Sequence, residues 1–289
     1  MRALLGDDAL LNRIAGDIFR EYNTRNMINA KLPAGASGSG AHKLIVANAN
    51  ELDSTHYLDT VRSLVVTFDH ERQECVDARP AQLHELERGG VDSTALAVAL
   101  QMAVEPYITE SYPNGQAMVF VTCCGNDSGG GESTVHLCIS SSKFNANNFW
   151  NGHWRSAWAV NVTMVTVNIK GAIGVDAHYF EEGNVQMKST HDCKARTLEV
   201  ADVSNMSVVA TAVVEAVKAE EIKFLEGLTK FYEYNNNTTF KELRRTLPVT
   251  RTKFQWDQAS HNLALALKGD EMVDAANAKM AAMAVAREG

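Results

Sequence analysis

The sequence predicts an α+β fold in which an antiparallel meander of strands is covered by one long helix. Two patterns predict this fold. From Ala117 to Cys193, runs of β-branched and aromatic residues are separated by turn-forming residues, which is typical of consecutive strands. From Ser204 to Tyr234 the apolar residues follow a helical period, and a helix of that length spans roughly 45 Å at about 1.5 Å per residue. The 289 residues are enough for a sizeable core.

Composition places the chain among ordinary globular proteins, with 21% charged and 45% hydrophobic residues. The net charge of −8 argues against a general nucleic-acid binder, because phosphate contacts need clustered Lys and Arg. No apolar run reaches membrane-spanning length, and the N-terminus lacks a signal-peptide pattern. Five cysteines without dense, even spacing fit a reducing setting, so we expect a cytosolic protein.

Residues 1–60 are predicted to form a helix and a linker. Asp7 or Asp8 can cap a helix, whose apolar face should pack against other parts of the structure and consists of Leu11, Ile14, Ile18 and Tyr22. Leu32–Ala41 has the composition of a flexible connector, and it lacks the spacing of a phosphate-binding loop. A short strand is predicted at Lys43–Ala47.

Residues 61–202 are predicted to form the antiparallel sheet with one inserted helix. A strand is expected at Ser63–Asp69, then a helix capped by Asp92 and Ser93 that runs to about Val104, where Pro106 should kink or end it. The later strands are AMVFVTCC, TVHLCISSS, the long stretch Ala157–Val175, and NVQMKSTHDC. Turns are predicted at Gly125–Gly131, Asn151–Gly152, Lys170–Gly174 and Glu182–Asn184.

Residues 203–237 are predicted to form the long helix, which ends at Asn235–Asn237. Its apolar stripe is interrupted at Glu220 and consists of Met206, Val209, Val213, Val217, Phe224, Leu228 and Phe231. A helix this long, apolar on one side, needs more partner surface than one small meander offers. Open sheet edges also invite pairing with another chain. Together these features favour a sheet that continues into a second subunit.

No catalytic or metal site is predicted, and no cofactor. Cys123, Cys124, His136 and Cys138 could suggest metal ligands, but the two adjacent cysteines point to opposite strand faces and no C-x-x-C pair exists. His191 and Cys193 would share a strand face, yet no orienting acid accompanies them. Ordinary buried strand residues are the simpler interpretation, and the chain is not expected to be an enzyme.

Residues 238–289 are predicted to form a basic and amphipathic tail. Its first part, Thr238–Trp256, carries five positive charges against one negative charge, about +4 in an acidic chain. Pro248 should end a helix at or before Leu247, and apolar side chains follow it. Two interpretations remain open from composition: a solvated basic face, or a segment that docks on an acidic surface with an apolar groove.

Three stretches together resemble one protein family. They are NNFWNGHWRSAW at Asn147–Trp158, HYFEEGNVQM at His178–Met187, and TTFKELRRTLPVTRTKFQW at Thr238–Trp256. In this order and roughly this spacing they are similar to the α subunit of F-actin capping protein, and weaker similarity covers nearly the whole chain. The resemblance implies a heterodimer with a β subunit, one antiparallel sheet shared by both subunits, and capping of the actin filament barbed end without severing.

Residue roles carry over from this resemblance by position. The implied actin contacts are the basic residues Lys241, Arg245, Arg251 and Lys253, the apolar residues Leu247, Phe254 and Trp256, and Arg244, whose role in the family is not assigned. The implied structural or subunit-interface residues are Trp150, Trp154, Arg155, His178 and Tyr179. The chain begins partway into the family's N-terminal helical bundle and has a shorter inserted helix and a longer tail.

An alternative function is a scaffold subunit in a fixed cytoskeletal assembly. Capping-protein dimers also end the short actin-like filament of dynactin, and a divergent subunit could serve only there. Phosphoinositides and proteins with capping-protein-interaction motifs are further candidate partners that the family raises. Co-purification with dynactin-like components, with no effect on free actin filaments, would separate the scaffold from the capping subunit.

Overall fold

The computed structural model describes residues 8–33, 43–86, 90–112, 114–123, 133–145, 147, 149–163, 165–180 and 185–237. Its helices are α1 (Asp8–Arg25), α2 (Leu83–Leu86), α3 (Gly90–Ser111) and α4 (Met206–Asn237), and a 3₁₀ turn covers Asn48–Asn50. Its strands are β1 (Ile28–Lys31), β2 (Lys43–Val46), β3 (His56–Asp59), β4 (Leu64–Asp69), β5 (Glu74–Pro80), β6 (Gly115–Cys123), β7 (Ser133–Asn145), β8 (Trp150–Val162), β9 (Val167–Tyr179) and β10 (Val185–Leu198).

The chain divides into two compact units. The first comprises the described residues of Met1–Ser142, His153–Gly174 and Thr190–Ala219. The second comprises those of Lys143–Gly152, Val175–Ser189 and Glu220–Gly289. The first unit contains the small sheets and α3.

The main sheet has the order β10-β9-β8-β7-β6, so strands that follow one another in sequence are neighbours in space. β6 and β7 pair antiparallel, with Phe120 opposite His136 and Met118 opposite Cys138. Two smaller sheets, β1-β2 and β3-β4-β5, are antiparallel as well. The predicted class, α+β with an antiparallel meander, is therefore confirmed. The short strands β1, β3 and β5 were not predicted.

Two positions of β9 have no room for a side chain larger than that of glycine, because large side chains of β8 lie against them. A Cβ at Gly171 would lie 2.2 Å from Cε3 of Trp158, and a Cβ at Gly174 would lie 2.9 Å from Nε of Arg155. The step from Arg155 forward to Trp158 along β8 therefore corresponds to the step from Gly174 back to Gly171 along β9. The two strands run antiparallel. The prediction of a turn at Lys170–Gly174 is wrong, because these glycines accommodate large side chains of the next strand rather than a bend.

Changing Gly171 to Ala is expected to destabilise the protein by about 1–3 kcal/mol, since the added methyl would overlap a buried indole that is only 2% exposed. The matched control is Gly16→Ala in α1, where an added Cβ meets nothing within 4 Å. That control should be neutral or stabilising by about 0.5–1 kcal/mol, because alanine favours helix. Urea unfolding of both variants checks the pair, and equal stabilities would contradict the proposed contact.

One strand prediction and one further turn prediction in this sheet are wrong. Ala157–Val175 is not one strand, because β8 ends at Val162 and β9 begins at Val167. The turn between them is held by threonines: Thr163 N–H donates to Thr166 O at 2.9 Å, and Thr166 N–H donates to Thr163 Oγ1 at 3.0 Å. Asn151–Gly152 lies inside β8. The chain instead reverses before Trp150, where Phe149 has a φ of 57°.

The inserted helix α3 continues past Pro106 to Ser111, so its predicted end near Val104 is wrong. Pro106 lies on the exposed side of α3. The hydrogen bond that is lost because proline has no N–H therefore costs little free energy there. The neighbouring side chains hold the helix in place. Val104, Tyr107 and Ile108 are buried, together with Leu96 and Leu100 in the earlier turns.

The core of the first unit lies between the small sheets and β6–β7. It contains Met27, Ala30, Leu44, Ile45, Val46, Tyr57, Val66, Phe68, Met118, Phe120 and Cys138. A buried amide ties its layers together: Asn50 Nδ2 donates to Ile45 O at 2.8 Å and to Leu58 O at 2.9 Å. Asn50 Oδ1 accepts from Ala47 N–H at 2.9 Å, so all the partners of this buried side chain are main-chain groups.

Among the described side chains, helix α1 makes polar contacts with the rest of the first unit, and two residues of its predicted apolar face are exposed. Ile18 and Tyr22 are 64% and 58% exposed, which contradicts their assignment to a packed face. Asn23 is 1% exposed instead, and its Nδ2 donates to His70 O at 2.8 Å. The side chains of Leu11 and Ile14 lie outside the described residues.

The imidazole of His70 completes this attachment. Its Nδ1 is 3.2 Å from Asn23 Nδ2, and its Nε2 is 3.1 Å from both Tyr57 OH and Ser54 O. Because the Asn23 amide donates, Nδ1 must accept, and the neutral ring carries its proton on Nε2. Burial lowers the pKa of His70 below its ordinary value, and the nearby Arg20 lowers it further. Protonating Nδ1 would set two donors against each other.

Stability is therefore expected to fall in mild acid. A depressed folded-state pKa means that the neutral ring's contribution is complete above the unfolded value of 6.5 and is lost as the pH drops below it. The melting temperature of the wild-type protein should decrease as the pH is lowered from about 7.5 to about 5.5. The melting temperature of the His70→Gln variant should decrease less over the same range. Some slope should persist because burial also lowers the pKa of His136. Identical pH slopes for wild type and variant would contradict this role of His70.

The longest helix is α4, at nearly the residues that the sequence predicts. Within the first unit it buries Val209, Val213 and Val217 of the predicted stripe, and Lys218 Nζ lies 4.9 Å from the centre of the Tyr107 ring. Within the second unit Leu228 of the stripe is buried, whereas Phe231 is 63% exposed. No described helix is long and apolar enough to cross a membrane.

Candidate subunit-interface and filament-binding site

The residues predicted to contact actin lie outside the described residues. They are Lys241, Arg244, Arg245, Leu247, Arg251, Lys253, Phe254 and Trp256. The part that the tail plays in the site is therefore inferred from its sequence alone. The structure describes separate elements that could contact a second subunit, and each is considered by itself: the edges of the five-stranded sheet, the tryptophan motif, and α4.

One edge of the main sheet, β6, is closed by contacts from the same chain. Gln101 Nε2 of α3 donates to Ala117 O at 3.2 Å, and Val119 N–H donates to Gln101 Oε1 at 3.1 Å. Thr60 Oγ1 donates to Val119 O at 2.9 Å. At the start of the strand, Gly115 N–H donates to Tyr112 O at 2.8 Å. The N–H groups of Gly115 and Val119 and the C=O groups of Ala117 and Val119 thus have partners without a neighbouring strand.

The other edge, β10, is long and exposed. It has 14 residues, and most of its side chains from Gln186 to Thr197 are exposed. Among the described residues no strand pairs with its outer side. Its length is well above the usual strand of about 5–6 residues, and it contains no proline. Such an edge is a template for another strand, so β10 is the candidate interface of this sheet.

The tryptophan motif lies along β8 and not around a loop. The three tryptophans Trp150, Trp154 and Trp158 are four positions apart in sequence. Side chains at an even spacing along a strand lie on the same face. In the first unit, the Trp154 ring is 6.0 Å from the Tyr112 ring, and Trp158 packs over Gly171. Arg155 points to the other face and covers Gly174. These positions favour an architectural role for the motif.

The second unit contains the other predicted interface residues. Tyr179 is 3% exposed, and the His178 ring is 5.3 Å from the Phe180 ring. Phe180 N–H donates to Phe149 O at 2.8 Å, and the two rings meet edge to face at 6.0 Å. Phe144, at 70% exposed, and Phe149, at 40%, were missed from the sequence. For Phe149, its place in the resembled motif Asn147–Trp158 was the only signal available; Phe144 lies outside that motif.

The cysteine and histidine candidates sit where strand packing explains them. Cys138 is in the core, and burial raises its thiol pKa to about 12, so it carries no thiolate at neutral pH. His136 Nε2 is 2.8 Å from Thr122 Oγ1 on the paired strand. On β10, His191 is exposed and Cys193 is buried. The side chain of Cys123 and all of Cys124 lie outside the described residues.

The comparisons with known proteins identify the family. The family model described as F-actin capping protein alpha subunit matches residues 1–266. The chain belongs to this family. Its alpha-subunit relatives include the F-actin-capping protein subunit alpha of Arabidopsis thaliana, 33% identical over 89% of this chain and 80% of that protein. The protein of the same name from Dictyostelium discoideum is 34% identical over 90% of this chain and 86% of its own length.

The fold of a solved family structure agrees with these matches. It is the homodimeric actin capping protein alpha subunit from Plasmodium berghei, which superposes with a TM-score of 0.66. The match covers 87% of this chain and 89% of that one, at 18% sequence identity. At that identity the likeness shows the shared fold of the alpha subunits.

Proposed function

We propose that the chain caps the barbed end of actin filaments and blocks the addition and loss of actin subunits. The observation that carries this proposal is the extent of the family match. It runs to residue 266 and so includes the whole basic segment Thr238–Trp256. The chain acts in the cytoplasm, on the cytoskeleton.

The proposed partner is a capping protein β subunit that adds to the sheet at β10. Two features support this choice of edge. Main-chain groups of Gly115, Ala117 and Val119 in β6 are already bonded to Tyr112, Gln101 and Thr60. No described strand pairs with the outer side of β10. In the second unit α4 also exposes Ile222 at 55% and Leu225 at 38%, and a helix of the partner would cover such side chains.

Binding is proposed to have two stages. The cations of the tail, Lys241, Arg244, Arg245, Arg251 and Lys253, attract the acidic filament end and set the orientation, which is an effect on the association rate. Leu247, Phe254 and Trp256 then bury apolar surface against actin, which slows dissociation. The bound dimer covers the surface that an incoming actin subunit would use.

This mechanism needs binding alone and no chemical step, so we propose that the chain is not an enzyme. A high thiol pKa at Cys138 agrees with this, since a nucleophilic cysteine needs a depressed one. No observation favours the dynactin-type scaffold over capping of free filaments. Phosphoinositides and capping-protein-interaction motifs stay as predictions of the resemblance.

The test is reconstitution with a β subunit followed by seeded actin elongation. Filament seeds elongate from both ends, and barbed-end growth dominates the fluorescence of labelled actin. The wild-type complex is expected to stop that growth at substoichiometric ratios to actin. Seeds with pointed ends already blocked provide the control, because all their growth is from barbed ends. Full growth at saturating complex would overturn the proposal.

A further inference from the structure

Helix α3 is apolar on the side that faces solvent as well as on the side that is packed. The stretch from Thr94 to Val104 contains no charged residue. Its exposed side includes Val98 and Met102, whose exposed fractions are 58% and 70%. The packed side consists of the buried residues Leu96, Leu100, Val104, Tyr107 and Ile108. A helix that is apolar all round is normally covered all round, so the exposed side of α3 has the composition of a surface that another molecule covers.

The exposed apolar residues form one continuous line along the helix, which we call the α3 ridge. The ridge consists of Ala95, Val98, Met102 and Pro106, all of them exposed. Steps of three and four residues place these side chains on one helical face, and the ridge is roughly 16 Å long at about 1.5 Å per residue. This is the spacing by which one helix packs against another. Met102 suits such a contact, because its unbranched side chain adapts to the surface that it meets.

The rim of the α3 ridge is acidic. Helical spacing places Asp92 and Glu110 on one side of the ridge and Glu105 on the other, and all three are exposed. Helix α3 contains no lysine or arginine, whereas α1 and α4 carry cations beside their acids. The negative charge along α3 is therefore not balanced within the helix. Such a rim attracts a cationic partner and repels an anionic one.

We propose that the α3 ridge binds a basic amphipathic helix of another protein. The apolar side chains of that helix pack around Val98 and Met102, and its lysines or arginines lie beside Glu105 and Glu110. The charge of the rim decides among the occupants. A second copy of the ridge would set acids against acids, and an acidic filament end would be repelled in the same way. The α3 ridge is thus a binding surface separate from the basic tail.

The test titrates the complex of the chain with a β subunit into two fluorescent peptides of about four helical turns. One peptide repeats leucine and lysine in an amphipathic helical pattern, and the other has glutamate in place of every lysine. Fluorescence anisotropy should show binding of the lysine peptide that is about tenfold tighter or more. A photoreactive group on the lysine peptide should label α3, as identified by mass spectrometry. Labelling only outside α3 would overturn the proposal.

Two pairs of substitutions locate the binding at the ridge. Val98→Thr with Met102→Gln keeps the size of the side chains but makes them polar. Glu105→Gln with Glu110→Gln removes two charges from the rim. Each pair is expected to weaken binding of the lysine peptide about fivefold or more. The charge pair should also flatten the dependence of binding on salt, because fewer charges are then screened.

Matched controls distinguish the ridge from the overall negative charge of the chain. They change exposed side chains outside α3 in the same way: Ile18→Thr with Val76→Thr, and Glu21→Gln with Glu74→Gln. The controls should bind the lysine peptide within about twofold of wild type. Equal losses in ridge and control variants, or equal binding of the two peptides, would refute the proposal. If the polar ridge variant did not assemble with the β subunit, the charge variant and the labelling would decide. Peptide binding is read separately from filament growth, so a failure of capping would leave this result standing.

Discussion

Replacing Lys241, Arg245 and Arg251 together by alanine is expected to slow the association of the complex with filament ends at least tenfold, with the heterodimer intact. The three residues supply most of the excess charge of a segment that is about +4 in a chain of −8. Because the rest of the chain is acidic, this segment must overcome a general repulsion from actin. Electrostatic steering of this kind changes association rates by about 10–10³-fold.

Salt dependence gives this prediction a second readout. Seeded elongation at several ionic strengths should show a steep fall in the association rate of wild type, and a much flatter line for the variant. The matched control removes three exposed cations elsewhere, Arg25, Lys31 and Arg72, and so changes the net charge equally. If the control slows capping as much as the tail variant does, net charge and not position would explain the effect.

The meander was predictable because its signal is local. Alternating β-branched and aromatic residues mark each strand, and the helical period marks α4, so the element types follow from sequence. The errors arise where a residue's role is set by a distant neighbour. Gly171 and Gly174 have the composition of a turn, yet they lie in β9 because Trp158 and Arg155 occupy the space of their missing side chains.

The small strands and the N-terminal helix illustrate the same limit. β1 and β3 have four residues each, too few for a period, and their pairing depends on a core shared with β6. Helix α1 has an apolar stripe in sequence, but its attachment uses Asn23 and His70, which are 47 residues apart. No window of sequence contains both partners of that contact.

The candidate site divides in the same way. The family inferred from three motifs is confirmed, and the tail residues assigned by resemblance remain predictions. Sequence reasoning missed Gln101 although a weak signal was present. It is the one long, uncharged polar side chain within the otherwise apolar run from Ala95 to Val104. That pattern points to a buried amide with specific partners, but only the register of α3 on β6 identifies them as Ala117 and Val119.

Expressed without a β subunit, the chain is expected to be largely insoluble, and co-expression should return most of it to the soluble fraction. The physical reason is β10, a 14-residue edge strand. Without the β subunit, its main-chain groups can pair with strands of other copies of the chain, which leads to aggregation. Ile222 and Leu225, exposed on α4, add apolar surface to the unpaired chain. Soluble yield and light scattering, with and without the partner, measure the effect. A stable, well-dispersed monomer would contradict it, and a soluble homodimer would support the edge but not the need for a β subunit.

Proline substitutions in β10 test whether this edge is the cause. At the neighbouring positions Lys194 and Ala195, one N–H faces β9 and the other faces outward, because donors alternate along an antiparallel strand. Proline removes one donor at either position. Proline at the position whose N–H faces outward should prevent binding of the β subunit, and the chain alone should become more soluble. Proline at the position whose N–H faces β9 should break the hydrogen bonds between β9 and β10 and lower the solubility further. If both variants bound a β subunit at wild-type yield, β10 would not be the shared edge, and the partner would have to meet the chain at a surface other than the sheet.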